Sequence, residues 1–213
     1  EMVMMDGTIC RIGGKTLDQE GYDLMGLICG SEGLLGVITE VTAKILKKPQ
    51  VVKAALIGFP TIEEGANATS EIISNGIIPA GMEIMDKALI EATDNFSKAG
   101  YPRDAELLLI VEVDGTESEV DILLKDVSSI CKKNNCSSLK LSQSEKERLS
   151  FWSGRKSAFP ACGAMAPDYY CMDGVIPRGK LAEALLEIKR LSEKYNLSVA
   201  NCFHAGDGNL HPL

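Results

Sequence analysis

The sequence predicts an α+β fold of ferredoxin-like character, an antiparallel sheet with helices on one face, and three observations carry that prediction. Apolar runs of strand length alternate with longer helical stretches between Val51 and Asn134. Helical stretches open on capping residues, as in Thr61-Ile62-Glu63-Glu64 and at Asp86. Apolar residues make up 45% of the 213 positions, enough to fill a core.

Residues 1–13 read as a hairpin: Met2 to Met5 is a short apolar run, Asp6-Gly7 a turn, and Thr8 to Ile12 the return. Gly13-Gly14-Lys15-Thr16 matches only the end of a phosphate-binding loop, without the upstream glycine such a loop needs. A short helix is expected over Tyr22–Cys29, followed by a stretch with glycines at 30, 33 and 36. That spacing is read first as a plain turn between helix and strand, and it also permits a loop whose amides donate to a bound ligand such as a phosphate. Gly36 to Leu46 reads as a strand, with Val37, Thr39, Val41 and Ala43 on one face.

Lys47-Lys48-Pro49-Gln50 marks a boundary, and a strand over Val51–Phe59 begins beyond it. A helix follows over about 62–75, ended by Asn75-Gly76. Ile77–Met85 is a second extended run, and Asp86 caps a helix reaching Phe96. Glu106–Val113 is the third strand and Ser118–Asn134 an amphipathic helix. In the helical stretch Glu145–Phe159, Arg148, Trp152 and Arg155 share one face. An arginine there suits bidentate capture of a carboxylate, or a surface cation stacked on tryptophan. Ala166–Arg178 reads as a strand, with Tyr169, Tyr170 and Asp173 as secondary site candidates. A helix over Gly179–Asn196 turns Leu181, Leu185, Ile188 and Leu191 inward, and Leu197–Phe203 is a strand ending at His204.

A net charge of −8 argues against nucleic acid or an anionic membrane surface as partner. The seven cysteines form no C-x-x-C pair and are expected as reduced core thiols of a cytoplasmic protein. No apolar run reaches the roughly 18 residues of a membrane span, and Glu1-Met2-Val3 does not open like a signal peptide. A soluble chain cut at both ends is the expectation.

Both histidines lie in Cys202-Phe203-His204-Ala205-Gly206-Asp207-Gly208-Asn209-Leu210-His211. Gly206 and Gly208 permit a tight turn with positive φ at the end of a strand. Such a turn suits two imidazole ligands for a zinc-like ion, with Asp207 or Asn209 orienting a ring or touching substrate. It also suits a buried histidine beside an ordinary hairpin turn.

The run His204-Ala-Gly-Asp-Gly-Asn-Leu-His211-Pro, together with Gly30-Ser31-Glu32-Gly33-Leu34-Leu35-Gly36-Val37-Ile38-Thr39, resembles the FAD-linked oxidase family. Within it the resemblance is to the branch of glycolate oxidase flavoprotein subunits and D-lactate and D-2-hydroxyglutarate dehydrogenases. It extends to Gly21-Tyr22-Asp23-Leu24, although the connection 17–20 is shorter than in the family.

The resemblance implies that residues 1–50 are the C-terminal end of an FAD-binding domain and residues 51–213 most of a ferredoxin-like substrate or cap domain. Gly30, Ser31, Gly33, Gly36, Val37 and Ile38 would lie along FAD. Arg155 would anchor the carboxylate of a small D-2-hydroxy acid such as glycolate or D-lactate, and Asn209 would hydrogen-bond its oxygen. His204 and His211 would hold a divalent metal, zinc or manganese, or polarise the hydroxyl. A third ligand lies beyond Leu213 in the family, so the fragment alone is expected to be inactive. An electron-transfer flavoprotein or an iron–sulfur subunit is the implied partner. The alternative is a non-catalytic α+β domain whose role is to contact such a subunit.

Overall fold

The computed structural model describes residues 1–16 and 21–213; the short connection 17–20 lies outside the described residues. Residues divide into two compact units, Glu1–Lys48 and Pro49–Leu213.

In the first unit β1 (Met2–Val3) pairs antiparallel with β2 (Ile9–Cys10) and with β3 (Val37–Ile38). The expected hairpin forms, with Gly7 at φ 84° in its turn. The first helix, α1 (Leu24–Ile28), is capped by Asp23, whose side chain accepts from the Gly26 amide. The strand expected over 36–46 shrinks to Val37–Ile38, and Val41, Ile45 and Leu46 are exposed. Alternation marks strand propensity, but a strand exists only where a ladder partner takes its amides and carbonyls.

The second unit is a seven-stranded antiparallel sheet in the order β7-β4-β6-β5-β9-β10-β8. Its members are β4 (Val51–Phe59), β5 (Gly81–Asp86), β6 (Leu107–Gly115), β7 (Ser138–Leu141), β8 (Gly174–Val175), β9 (Asn201–His204) and β10 (Asn209–Pro212). The first four of these give the ferredoxin-like arrangement, and the β9–β10–β8 group extends it past β5. Thr61 caps α2 (Ile62–Ser74), Asp86 caps α3 (Lys87–Ser97), and Thr116 with Glu119 forms a capping box on α4 (Glu117–Lys133). Ser144 caps α5 (Glu145–Lys156), α6 (Ala158–Gly163) follows, and α7 (Leu181–Tyr195) ends on left-handed Asn196.

Helices cover both faces of this sheet, not one. Ala55, Ile57, Phe59, Leu107, Leu109 and Val111 face α2, α4 and α7, while Ala54, Leu56, Met85, Leu108 and Ile110 face α3, α5 and α6. The reason is in the strands: Ala54–Ile57 and Leu107–Val111 are buried at every position, so they are apolar without alternation. Other runs are shorter than expected: Ile77–Ala80, most of Ala166–Arg178 and Leu197–Ala200 lie outside any strand. On α7, Leu181 and Leu185 are buried as expected, but Leu191 is exposed. All seven cysteines are free; three are buried, and Cys29 and Cys171 are exposed instead of in the core.

Candidate active site

The site is built on the α3/α5/α6 face of the sheet, where β5, β9 and β10 run side by side. Register places Glu83 opposite His204 across β5 and β9, and His204 opposite Asn209 across β9 and β10. Side chains of paired residues share a face, so Glu83, His204, Asn209 and His211 all project from this one. The apolar residues between them, Ile84, Phe203 and Leu210, fill the opposite core and hold the register.

The β9–β10 turn is narrower in its demands than the sequence suggests. The His204 carbonyl accepts from the Asp207 and Gly208 amides, at 3.3 and 3.1 Å. Only Gly208 is left-handed, at φ 83°; Gly206 has no positive φ. A Cβ on Gly208 would lie 2.3 Å from the Ile176 carbonyl oxygen, so the position needs glycine for space as well as conformation. The carboxylate of Asp207 accepts from the Asn209 amide at 3.1 Å and serves the turn. Asn209 is free for other work: its side-chain Oδ1 is buried and has no protein partner among the described residues.

Glu83 bridges two of the candidate site residues, Arg155 and His204. Its Oε1 lies 2.7 Å from His204 Nδ1, and its Oε2 accepts from Arg155 Nε at 2.9 Å. The Glu83 and Arg155 side chains are each 12% exposed, whereas the imidazole of His204 is 45% exposed. No other protein acceptor engages the Arg155 guanidinium among the described residues, so its Nη atoms remain available. The His204 and His211 rings meet edge to face, their centroids 5.1 Å apart, and His211 Nδ1 lies 3.5 Å from Asp173 Oδ1.

Arg155 is placed by its helix. The Tyr101 hydroxyl accepts from the Arg155 amide at 3.0 Å and donates to the Phe151 carbonyl. Burial pushes that phenol up to about 12, so it remains a donor. Gly154 lets α5 close on the Tyr101 ring, which a Cβ there would meet at 2.4 Å. Along the same helix, Arg148 Nη1 and Trp152 Nε1 both donate to Glu112 Oε2 at 2.6 Å. Glu145 and Glu112 hold the Arg148 guanidinium above its ordinary range. Arginine and tryptophan on α5 thus meet at a shared carboxylate on β6.

Sequence reasoning missed both carboxylates. Glu83 lies within Met82-Glu83-Ile84-Met85 and Glu112 within Val111-Glu112-Val113. An acidic residue inside an apolar strand run must find a cation or donor, and that was the available signal. Of the secondary candidates, Asp173 approaches His211, while Tyr169 and Tyr170 are exposed. Gly30, Ser31, Gly33, Gly36, Val37 and Ile38 belong to the first unit. Gly30, Gly33 and Gly36 there have φ of 83°, 79° and 150°. A Cβ at Gly30 or Gly33 would meet nothing within 4 Å, and the Val37 and Ile38 side chains are exposed.

Among the described residues no three histidine, cysteine, aspartate or glutamate side chains converge as a metal cluster. None of the described helices is long and apolar enough to cross a membrane.

A family model described as "FAD linked oxidases, C-terminal domain" matches residues 48–213. Over its whole length the chain is 51% identical to the glycolate oxidase subunit GlcD of Escherichia coli K12, covering 43% of that protein. It is 33% identical to a mitochondrial D-lactate dehydrogenase [cytochrome] of Arabidopsis thaliana, with 99% of the chain and 37% of the relative aligned. The chain thus spans less than half the length of these curated relatives. The structure of an alkyldihydroxyacetonephosphate synthase superposes on 99% of the chain and 44% of its own, with a TM-score of 0.70 and 19% identity. That last likeness concerns the fold.

Proposed function

The chain belongs to the FAD linked oxidases, through the C-terminal domain of that family, and on that premise we propose that it forms the substrate-binding part of a flavoenzyme oxidising a small 2-hydroxy acid. Glycolate and D-lactate are the candidate substrates, since the relatives' names carry them. In this reading unit Glu1–Lys48 is the end of an FAD-binding domain and unit Pro49–Leu213 the substrate or cap domain. The observation that carries it is the single carboxylate, Glu83, tying Arg155 to His204, next to Asn209, whose Oδ1 is buried without a partner among the described residues.

Arg155 uses its two Nη groups to take the substrate carboxylate as a fork, which orients the 2-carbon. Asn209 hydrogen-bonds the 2-oxygen and holds it on the His204 side of the site. FAD, when bound, supplies the two-electron acceptor that turns the 2-hydroxy acid into a 2-oxo acid. Gly30 and Gly33 fit that cofactor by leaving a glycine backbone open to approach, Gly36 fits close against Met2 and Val3 and so fixes the end of the loop that carries Ser31, and Val37 and Ile38 offer apolar surface.

His204 and His211 each have Nδ1 turned to a carboxylate, which leaves Nε2 on both rings. Those two nitrogens would hold a divalent ion, zinc or manganese, whose Lewis acidity eases loss of the hydroxyl proton. Two ligands fall short of the three a catalytic zinc usually takes, so this reading takes its third from outside the chain, as the resemblance implies; in a second reading the contact of His204 Nδ1 with Glu83 leaves Nε2 to accept the hydroxyl proton itself. The electron acceptor beyond the flavin is proposed to be a partner flavoprotein or iron–sulfur subunit, in keeping with a relative named as a subunit.

The test is made on the full-length enzyme that contains this domain: turnover of glycolate and D-lactate with an artificial acceptor, and elemental analysis, for wild type, His204→Ala and His211→Ala. The metal reading expects both variants to lose ion and turnover together. An active, metal-free wild type leaves the proton-acceptor reading, and absence of turnover on every 2-hydroxy acid tried overturns the proposal.

A further inference from the structure

We propose that Glu83 is a positioning residue that sets both halves of the site at once: it fixes the tautomer of His204 and the aim of Arg155. This rests on the roles given above to Arg155 and His204. Neither the family match nor the fold assigns anything to Glu83.

The argument is one of donors and acceptors. A carboxylate only accepts. With Oε1 at 2.7 Å from His204 Nδ1, the ring hydrogen of the neutral imidazole sits on Nδ1, and Nε2 keeps its lone pair. That lone pair is what either reading of the site needs, as ligand or as proton acceptor. The second oxygen accepts from Arg155 Nε at 2.9 Å, the inner edge of the guanidinium. Holding Nε leaves both Nη groups on the outer side, where a second carboxylate would be received. Both demands fall on one residue whose side chain is 12% exposed, on a strand whose neighbours Met82, Ile84 and Met85 are buried. The strand fixes its position, and the two partners fix its rotamer.

Glutamine in its place separates this from a generic packing role. Glu83→Gln keeps the shape but has one accepting and one donating end. Arg155 can only donate, so it takes the amide oxygen, and the amide NH2 is left against His204 Nδ1. His204 must then accept at Nδ1 and carry its hydrogen on Nε2. The substitution should swap the tautomer and leave the fold in place.

The two histidines make this readable by ¹⁵N NMR of the histidine-labelled chain at one near-neutral pH, with His211→Asn assigning the signals. Wild type is expected to show His204 protonated on Nδ1, Glu83→Gln to show it on Nε2, and His211 to keep one pattern in both. A wild-type His204 carrying its hydrogen on Nε2 overturns the proposal, whether or not the variant folds. An unchanged tautomer in a folded Glu83→Gln chain overturns it too. In the full-length enzyme the same variant should lose about 10–100-fold in kcat, with KM changing less because Arg155 keeps an acceptor. A swapped tautomer with undiminished kcat upholds the Glu83 contact and refutes the catalytic role of His204, so the two failures are distinguishable.

Discussion

Replacing Gly208 by alanine, against Gly76→Ala as control, separates two costs that the β9–β10 turn combines. Both glycines are left-handed, at φ 83° and 80°, and both lie in the second unit, so one unfolding transition reports both. A side chain in that conformation costs about 1–2 kcal/mol at either site. The unfolded-state gain from removing a glycine is the same in both and cancels. At Gly76 a Cβ meets nothing within 4 Å, whereas at Gly208 it would lie 2.3 Å from the Ile176 carbonyl oxygen. That oxygen is backbone, and Ile176 is itself pinned by donating its amide to the Gly208 carbonyl at 3.0 Å. Relieving the clash therefore moves β10 or the segment before α7, at about 1–3 kcal/mol more, by analogy with overpacked cores. Urea denaturation followed by Trp152 fluorescence and by helical circular dichroism measures both variants. Gly208→Ala should be the less stable by that 1–3 kcal/mol, and equal losses would refute the steric reading of the turn.

Arg155→Lys keeps the charge but loses the planar fork, so kcat/KM of the full-length enzyme on its best hydroxy acid should fall about tenfold or more; unchanged kinetics would return Arg155 to a structural role. Asp86 caps α3 and accepts from the Asn201 amide and side chain, and burial pushes its carboxyl up from 3.8. A raised folded-state value means that its contribution to stability is full below the unfolded pKa and is lost as pH rises through the folded one. The stability of wild type minus that of Asp86→Asn should therefore fall as pH rises from about 4, in paired urea titrations, and a flat or rising difference would contradict the assignment. Thr116→Ala removes the hydroxyl of the capping box and should cost about 1 kcal/mol in the same assay; a loss no larger than that of a solvent-facing serine would show the box to be idle.

What could be read from the sequence depended on whether the signal was local. The bounds of β4 and the starts of α2 and α3 were legible because Pro49, Thr61 and Asp86 act on their immediate neighbours. Strand ends at 36–46, 77–85 and 197–203 were not, since pairing with a distant segment decides how far a ladder runs. Strand β7 went unseen because Ser138-Leu-Lys-Leu141 is a short edge strand, in register with Ala55–Gly58 but carrying little signal of its own. In the site, His204, His211 and Asn209 stood out by residue type and spacing, whereas Arg155 was singled out through the family resemblance. Glu83 was hidden because its meaning lies in two partners, 121 and 72 positions away.

Those separations also order the events of folding. The β9–β10 hairpin closes through a four-residue turn and can form early, bringing His204, Asn209 and His211 onto one face by itself. Its docking against β5 joins segments more than a hundred residues apart, and the entropy of closing so long a loop is recovered only when Phe203 and Cys202 enter their two cores. The Glu83–His204 contact is thus formed at the most distant of the closures in this sheet. During refolding, helical signal should return before the imidazole environment does, because a chain with its helices and hairpin in place still lacks the strand that tells His204 where to keep its hydrogen.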